Sequence, residues 1–155
     1  MKKIIFILAA FALTLSSFAQ APDFSGKWKL NSAKSKLGDQ FSMAPATVSI
    51  VQKGNDFSIE KVSDFGGQEF TLSEKYTLDG KECVNAGWQD SQRKSTAVWS
   101  ADKKSLKITS KLSIGDGGDM TIIEVYKMDG ANMIIESSSS SSFGDMAETM
   151  AYDKV

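Results

Sequence analysis

The sequence predicts an all-β protein, an antiparallel up-and-down meander closed into a barrel of eight to ten strands. Three observations predict it. Turn-forming pairs recur along residues 20–155, mostly 12–15 residues apart, among them Gly54-Asn55, Gly66-Gly67, Asp79-Gly80, Ala86-Gly87, Asp116-Gly117 and Asp129-Gly130. Glycine, asparagine and aspartate tolerate the backbone angles that tight hairpins need. Between the turns, apolar and polar residues alternate with period two, as in half-buried strands. Only residues 31–45 leave room for a helix, so no crossover helix can make the strands parallel.

Residues 1–19 read as a secretory signal peptide. Met1-Lys2-Lys3 is basic, and residues 4–15 form an apolar run of 12 interrupted only by Thr14. Ser17 and Ala19 suit the −3 and −1 positions of a signal-peptidase site. An A-x-A pattern also ends at Ala21, but cleavage there would set Pro22 beside the scissile bond. The apolar run falls well short of the roughly 20 residues that span a bilayer, and no cysteine follows it for lipid attachment. The expectation is cleavage near Ala19 and export to the periplasm or beyond the cell. The mature chain, 20–155, then forms one domain with no transmembrane span.

Ten strands are expected in that domain, at 24–30, 47–52, 57–63, 69–78, 81–85, 94–100, 105–114, 120–128, 133–142 and 148–154. Leu106, Ile108, Ser110 and Leu112 share one face, and Lys107, Thr109 and Lys111 the other. Met120, Ile122, Glu124 and Tyr126 make a second such face. Pro22 and Pro45 precede strands, where a missing N–H costs little. Within 31–45, residues 32–37 suit a short helix, capped by Asn31 or Ser32 and ended by Gly38. The serine run 137–142 reads as a strand with a small polar face, in which Ser137 and Ser139 pointing inward would widen a cavity. A single flat sheet of ten strands would curl or split. Closing it into a barrel hides its edges, with a two-sheet sandwich as the alternative.

Composition excludes whole classes of function. The chain has 155 residues, 41% hydrophobic and 24% charged, as in an ordinary globular domain. A net charge of −1 gives no electrostatic footprint for nucleic acid. Histidine is absent, which removes His-based triads, His–zinc sites and histidine pH switches. The single cysteine, Cys83, rules out a disulfide framework or a cysteine metal cluster, and a buried, inert thiol is its default. Asp116-Gly117-Gly118-Asp119 supplies too few oxygens for calcium and reads as a hairpin turn. No cofactor is implied.

With the strands placed, a resemblance emerges. Phe24-Ser25-Gly26-Lys27-Trp28-Lys29-Leu30 resembles the G-x-W opening of lipocalins, and more closely the F-x-G-x-W-K-L start of fatty-acid-binding proteins. Tyr152-Asp153-Lys154-Val155 is similar to the latter family's Y-E-K-V close. Lys94-Ser95-Thr96 and the Asp129-Gly130 turn sit at comparable places, so the pattern covers most of the mature chain. The chain thus resembles a lipocalin-like protein of the calycin group. The resemblance implies a barrel with an internal cavity, closed near one end by Trp28 with Gly26 beside it. It also implies an R-x-Y carboxylate anchor on the last strand, where Tyr152 matches the tyrosine but Met150 replaces the arginine. A second family arginine falls near Glu124. A fatty acid held by its head group is therefore not expected.

The candidate ligand-binding residues follow. If Ile122-Glu124-Tyr126 faces inward, Glu124 sits in an apolar cavity and needs a cation, a donor or a raised pKa. Glu124, Tyr126 and Tyr152 would then orient a ligand's polar end. If Ile123 and Val125 face inward instead, Glu124 is on the surface. Arg93, the only arginine, either grips an anionic group at a barrel mouth or is solvated. Trp88 lies in a polar loop, rimming a cavity or tucked beneath it, and Trp99 alternates with Ala97 and Ser95 toward the core.

The function expected is binding, not catalysis: an exported carrier or scavenger of a small apolar molecule, neutral or cationic rather than fatty-acid-headed. Burial of apolar surface would supply the affinity. Two alternatives remain. One is an envelope or extracellular protein with a filled barrel, whose loops bind a partner protein or glycan. The other is a small isomerase using carboxylates.

Overall fold

The computed structural model describes residues 20–39, 41–87, 91–115 and 118–155. The signal-peptide assignment, the loop placement of Trp88 and the first half of the 116–119 turn lie outside these residues. The strands are β1 (Gly26–Leu30), β2 (Thr47–Lys53), β3 (Asp56–Phe65), β4 (Gln68–Thr77) and β5 (Cys83–Ala86). They continue as β6 (Gln92–Trp99), β7 (Ser105–Ser113), β8 (Asp119–Asp129), β9 (Asn132–Ser141) and β10 (Gly144–Lys154). Each expected strand is present, and all ten form one sheet in the order β4-β3-β2-β1-β10-β9-β8-β7-β6-β5. Every ladder is antiparallel, and the first and last strands pair, with Trp28 opposite Lys154 and Leu30 opposite Tyr152.

The barrel is nearly closed. The ends of the sheet, β4 and β5, share no ladder, so the expected removal of every edge is not complete. Side chains bridge the seam instead. The Lys75 N–H donates to Asn85 Oδ1 at 2.8 Å, and Asn85 Nδ2 donates to the Lys75 carbonyl at 3.0 Å. The asparagine amide thereby presents one donor and one acceptor, as a peptide group in a neighbouring strand would. Two residues on, the Thr77 N–H donates to Cys83 Sγ at 3.3 Å. Cys83 is half-buried at this seam and packed against the core rather than fully buried within it.

The expected helix shortens to one 3₁₀ turn, Ser32–Lys34. Asn31 caps it, its side chain accepting from the Lys34 N–H. It ends at Ser35, not Gly38, because Lys36 turns to pair with Thr149 through two backbone hydrogen bonds of 2.7 and 2.9 Å. Extended pairing to β10 supplies more hydrogen bonds than another isolated turn would.

The interior has two halves. Toward the β2–β3, β6–β7 and β8–β9 turns, aromatic rings fill it. Phe24 and Phe57 each pack against Tyr126 with centroids 6.1 Å apart, and Trp99 stacks on Phe24 at 6.0 Å. Trp28 is 1% exposed, and its Nε1 donates to the Phe24 carbonyl at 2.9 Å, so its one polar atom is satisfied. Gly26 starts β1 at φ +132°, and a Cβ there would lie 2.8 Å from Lys154 Cε. This lets Lys154 lie over the Trp28 ring, its Nζ 5.3 Å from the centroid. Trp28 and Gly26 thus pack together with Lys154 at this end of the barrel. The other half is different in kind.

Candidate functional site

Strand parity aims a set of charged side chains inward, just above the aromatic plug. On β3, Phe57, Ile59 and Lys61 are buried in alternation. On β4, Glu74 precedes the buried Tyr76 by two, and on β6, Arg93 precedes Ser95 and Ala97 in the same way. Glu124 shares its face with Tyr126 on β8, which settles the register in favour of an inward Glu124. Glu148 and Met150 point inward on β10.

These groups form a cluster. Lys61 Nζ donates to both oxygens of Glu124, at 2.6 and 2.7 Å, and lies 3.6 Å from Glu74 Oε2. Arg93 Nε lies 3.0 Å from Glu74 Oε1. The Tyr126 hydroxyl reaches Glu124 Oε2 at 3.4 Å. Burial alone would raise the Glu124 pKa, but the Lys61 and Arg93 charges outweigh it and the pKa is lowered. Burial opposes the Arg93 charge, and Glu74 and Glu124 more than restore it, so its pKa is raised. Burial and the nearby carboxylates push Tyr76 and Tyr126 upward, keeping both hydroxyls protonated. Contacts between buried charges are retained here by mutual pairing, as such groups require.

Above the cluster, toward the β3–β4, β7–β8 and β9–β10 turns, lies a cavity of about 480 Å³. Its apolar wall includes Phe70, Leu72, Met120, Ile122, Met146 and Met150. Lys61, Arg93, Glu124 and Glu148 also line it, with Ser137 and Ser139 on the β9 side. Ser137 and Ser139 thus present small polar side chains to the cavity. Glu148 Oε1 accepts the Gly38 N–H at 2.9 Å, tying the 31–46 connection to this wall. At the rim, Phe41 stacks on Phe65 at 6.2 Å, and Phe65 meets Phe70 at 5.6 Å.

The cavity sorts the candidate residues. Glu124, Arg93, Met150, Ser137 and Ser139 line it. Tyr126 and Tyr152 do not: Tyr126 belongs to the aromatic plug, and the Tyr152 hydroxyl donates to the Pro45 carbonyl at 3.0 Å. Two corrections concern charge. Arg93 is not a solvated surface residue, being 7% exposed inside the barrel. Nor is the interior free of cations, because Lys61 joins it there. Lys61, Glu74 and Glu148 were not among the sequence candidates. Their shared parity with Phe57, Tyr76 and Met150 was the available signal.

Among the described residues, no helix is long and apolar enough to cross a membrane. No protein-family model matches the sequence, and no curated protein matches it. Solved structures do resemble it. Zebrafish ileal bile acid-binding protein complexed with cholic acid is 18% identical at a TM-score of 0.58, covering 85% of this chain and 98% of that one. Lipid binding protein 8 of Caenorhabditis elegans is 15% identical at 0.53, with 85% and 95% covered. Secretory abundant heat soluble protein 4 of Ramazzottius varieornatus is 14% identical at 0.50, with 84% and 94% covered. At these identities the likeness is one of fold: the chain shares the antiparallel up-and-down barrel of these structures.

Proposed function

We propose that the protein is an exported carrier or scavenger of a small apolar molecule, held in the barrel cavity with its polar end at the charged floor. The single observation that carries this is the cavity of about 480 Å³ between apolar walls. That volume lies within the usual range for small-molecule sites. A filled barrel would leave no such space, which weighs against a loop-binding role. The bile acid- and lipid-binding names of two structural neighbours support the same reading. Each methylene buried against the wall contributes ~0.8 kcal/mol, so a ten-carbon chain gains ~8 kcal/mol before the cost of association. Four methionines, Met43, Met120, Met146 and Met150, border the space. Their unbranched side chains adapt to irregular ligands.

The ligand's polar end is neutral or cationic. The reason is not that the interior lacks cations but that its cations already have partners: Lys61 is held by Glu124, and Arg93 by Glu74. Export is supported by the basic start, apolar run and small-residue site of residues 1–19.

Native mass spectrometry of protein purified from its own host tests the carrier role, beside a Ser139→Trp variant that fills the cavity. The expected result is a reproducible small-molecule adduct on the natural chain, absent from the folded variant. An adduct equally present on both would place the ligand elsewhere and overturn the cavity as its site.

A further inference from the structure

Glu74 is 1% exposed, yet it does not line the cavity. It stands behind the wall, with Oε1 3.0 Å from Arg93 Nε and Oε2 3.6 Å from Lys61 Nζ. Among the described residues, neither of its oxygens, nor Arg93 Nε, nor the Tyr76 hydroxyl finds an aligned hydrogen-bond partner. Glu74 therefore acts on the two cations by charge rather than by directed bonding. Glu124 occupies Lys61 from the cavity side through two short hydrogen bonds. Glu148 adds a third carboxyl group to the floor, with the Gly38 N–H on its Oε1.

A carboxylate arriving at this floor finds both basic groups engaged. To pair with either, it must displace Glu124 or share a cation with Glu74, leaving a carboxylate buried without a full partner. A hydroxyl or amide faces no such conflict. It can donate to a Glu124 or Glu148 oxygen and accept from the third proton of Lys61 or from the Ser137 or Ser139 hydroxyl. The charge balance is unchanged by its arrival.

We propose that Glu74 is a specificity-determining residue: as counter-ion to Arg93 and Lys61, it bars carboxylate head groups from the cavity floor and leaves it to head groups that carry no negative charge. This rests on the cavity being a ligand site. Replacing Glu74 by glutamine keeps the shape and removes the charge, releasing Arg93 toward an incoming anion. The site then accepts carboxylates it formerly refused.

The test is displacement of a neutral environment-sensitive dye, Nile red, by decan-1-ol and by decanoate at pH 8, where decanoate is ionised. On the natural protein, decan-1-ol should displace the dye at a concentration at least tenfold lower than decanoate. On Glu74→Gln, confirmed as folded by circular dichroism, that ratio should fall at least tenfold, through tighter decanoate binding. Glu60→Gln, on the exposed face of β3, makes the same change in total charge and should leave the ratio as it was. Decanoate binding as well as decan-1-ol on the natural protein overturns the proposal without need of any variant. So does a Glu74→Gln ratio equal to that of Glu60→Gln. If neither compound displaces the dye, the cavity is not a site for such ligands, and the carrier role falls along with the role of Glu74.

Discussion

The two halves of the barrel interior solve opposite problems with the same ten strands. In the closed half, Phe24, Trp28, Phe57 and Tyr126 fill the space, and Trp28 satisfies its lone polar atom on a neighbouring carbonyl. In the open half, Lys61, Glu74, Arg93 and Glu124 are also buried but hold one another by charge, beneath the cavity. Packing makes the first half stable at low risk. The second buries five charged groups, Glu148 included, that could have been leucines, and well-packed apolar replacements for such groups are often neutral or stabilising. The difference teaches where stability was not the governing demand. A floor of paired charges is what the proposed selection among head groups requires.

The sharpest way to break this contrast is to unpair the floor. Lys61→Met leaves Glu124 buried without its main partner and should cost about 3–5 kcal/mol, read from the urea midpoint. The double variant Lys61→Met, Glu124→Leu should recover most of that loss. A double variant as unstable as the single would show that the pair contributes stability beyond satisfying itself. In the closed half, Trp28→Ala should cost about 3–5 kcal/mol, with no compensating second change, because the loss there is of packed volume. Ile122→Ala, at the cavity wall, should cost less than half as much, since space already adjoins it.

Acid should separate the halves further. The folded-state pKa of Glu124 is lowered below its ordinary 4.5, so the carboxylate stabilises the fold at pH above 4.5. That contribution is lost as pH falls below 4.5 toward the lowered value. Urea midpoints taken at pH 7, 4.5 and 3 should drop more for the natural chain than for the Lys61→Met, Glu124→Leu variant. The smallest expected effect is at the seam. Asn85→Ala removes the two hydrogen bonds to Lys75 and should cost about 1 kcal/mol, with faster amide exchange at Lys75. The β1–β10 junction, joined by a ladder, should exchange unchanged.

Much of this architecture was legible in the residue pattern. Alternation located all ten strands, because a half-buried strand leaves that mark in its own residues. Asp129-Gly130 marked its hairpin, with Gly130 at φ +59°. The helix expected at 32–37 is cut to the turn Ser32–Lys34 because its competitor, pairing of Lys36 with Thr149, lies far along the chain. The charged floor was hidden for two reasons. Lys61 and Glu74 fall in phase with Phe57 and Tyr76, but charged residues in strands are usually exposed, so phase alone does not mark them as buried. And Lys61 and Glu124 are 63 residues apart, brought together by barrel curvature that no local pattern records.

Methionine methyl NMR compares the two halves within one molecule. Met43, Met120, Met146 and Met150 line the cavity, whereas Met133 is buried in the packed core and Met128 rests against it. Titration with decan-1-ol should move the four cavity methyl signals in step and leave those of Met133 and Met128 in place. Signals that do not move, or that move equally in both groups, would contradict binding in the open half of the barrel.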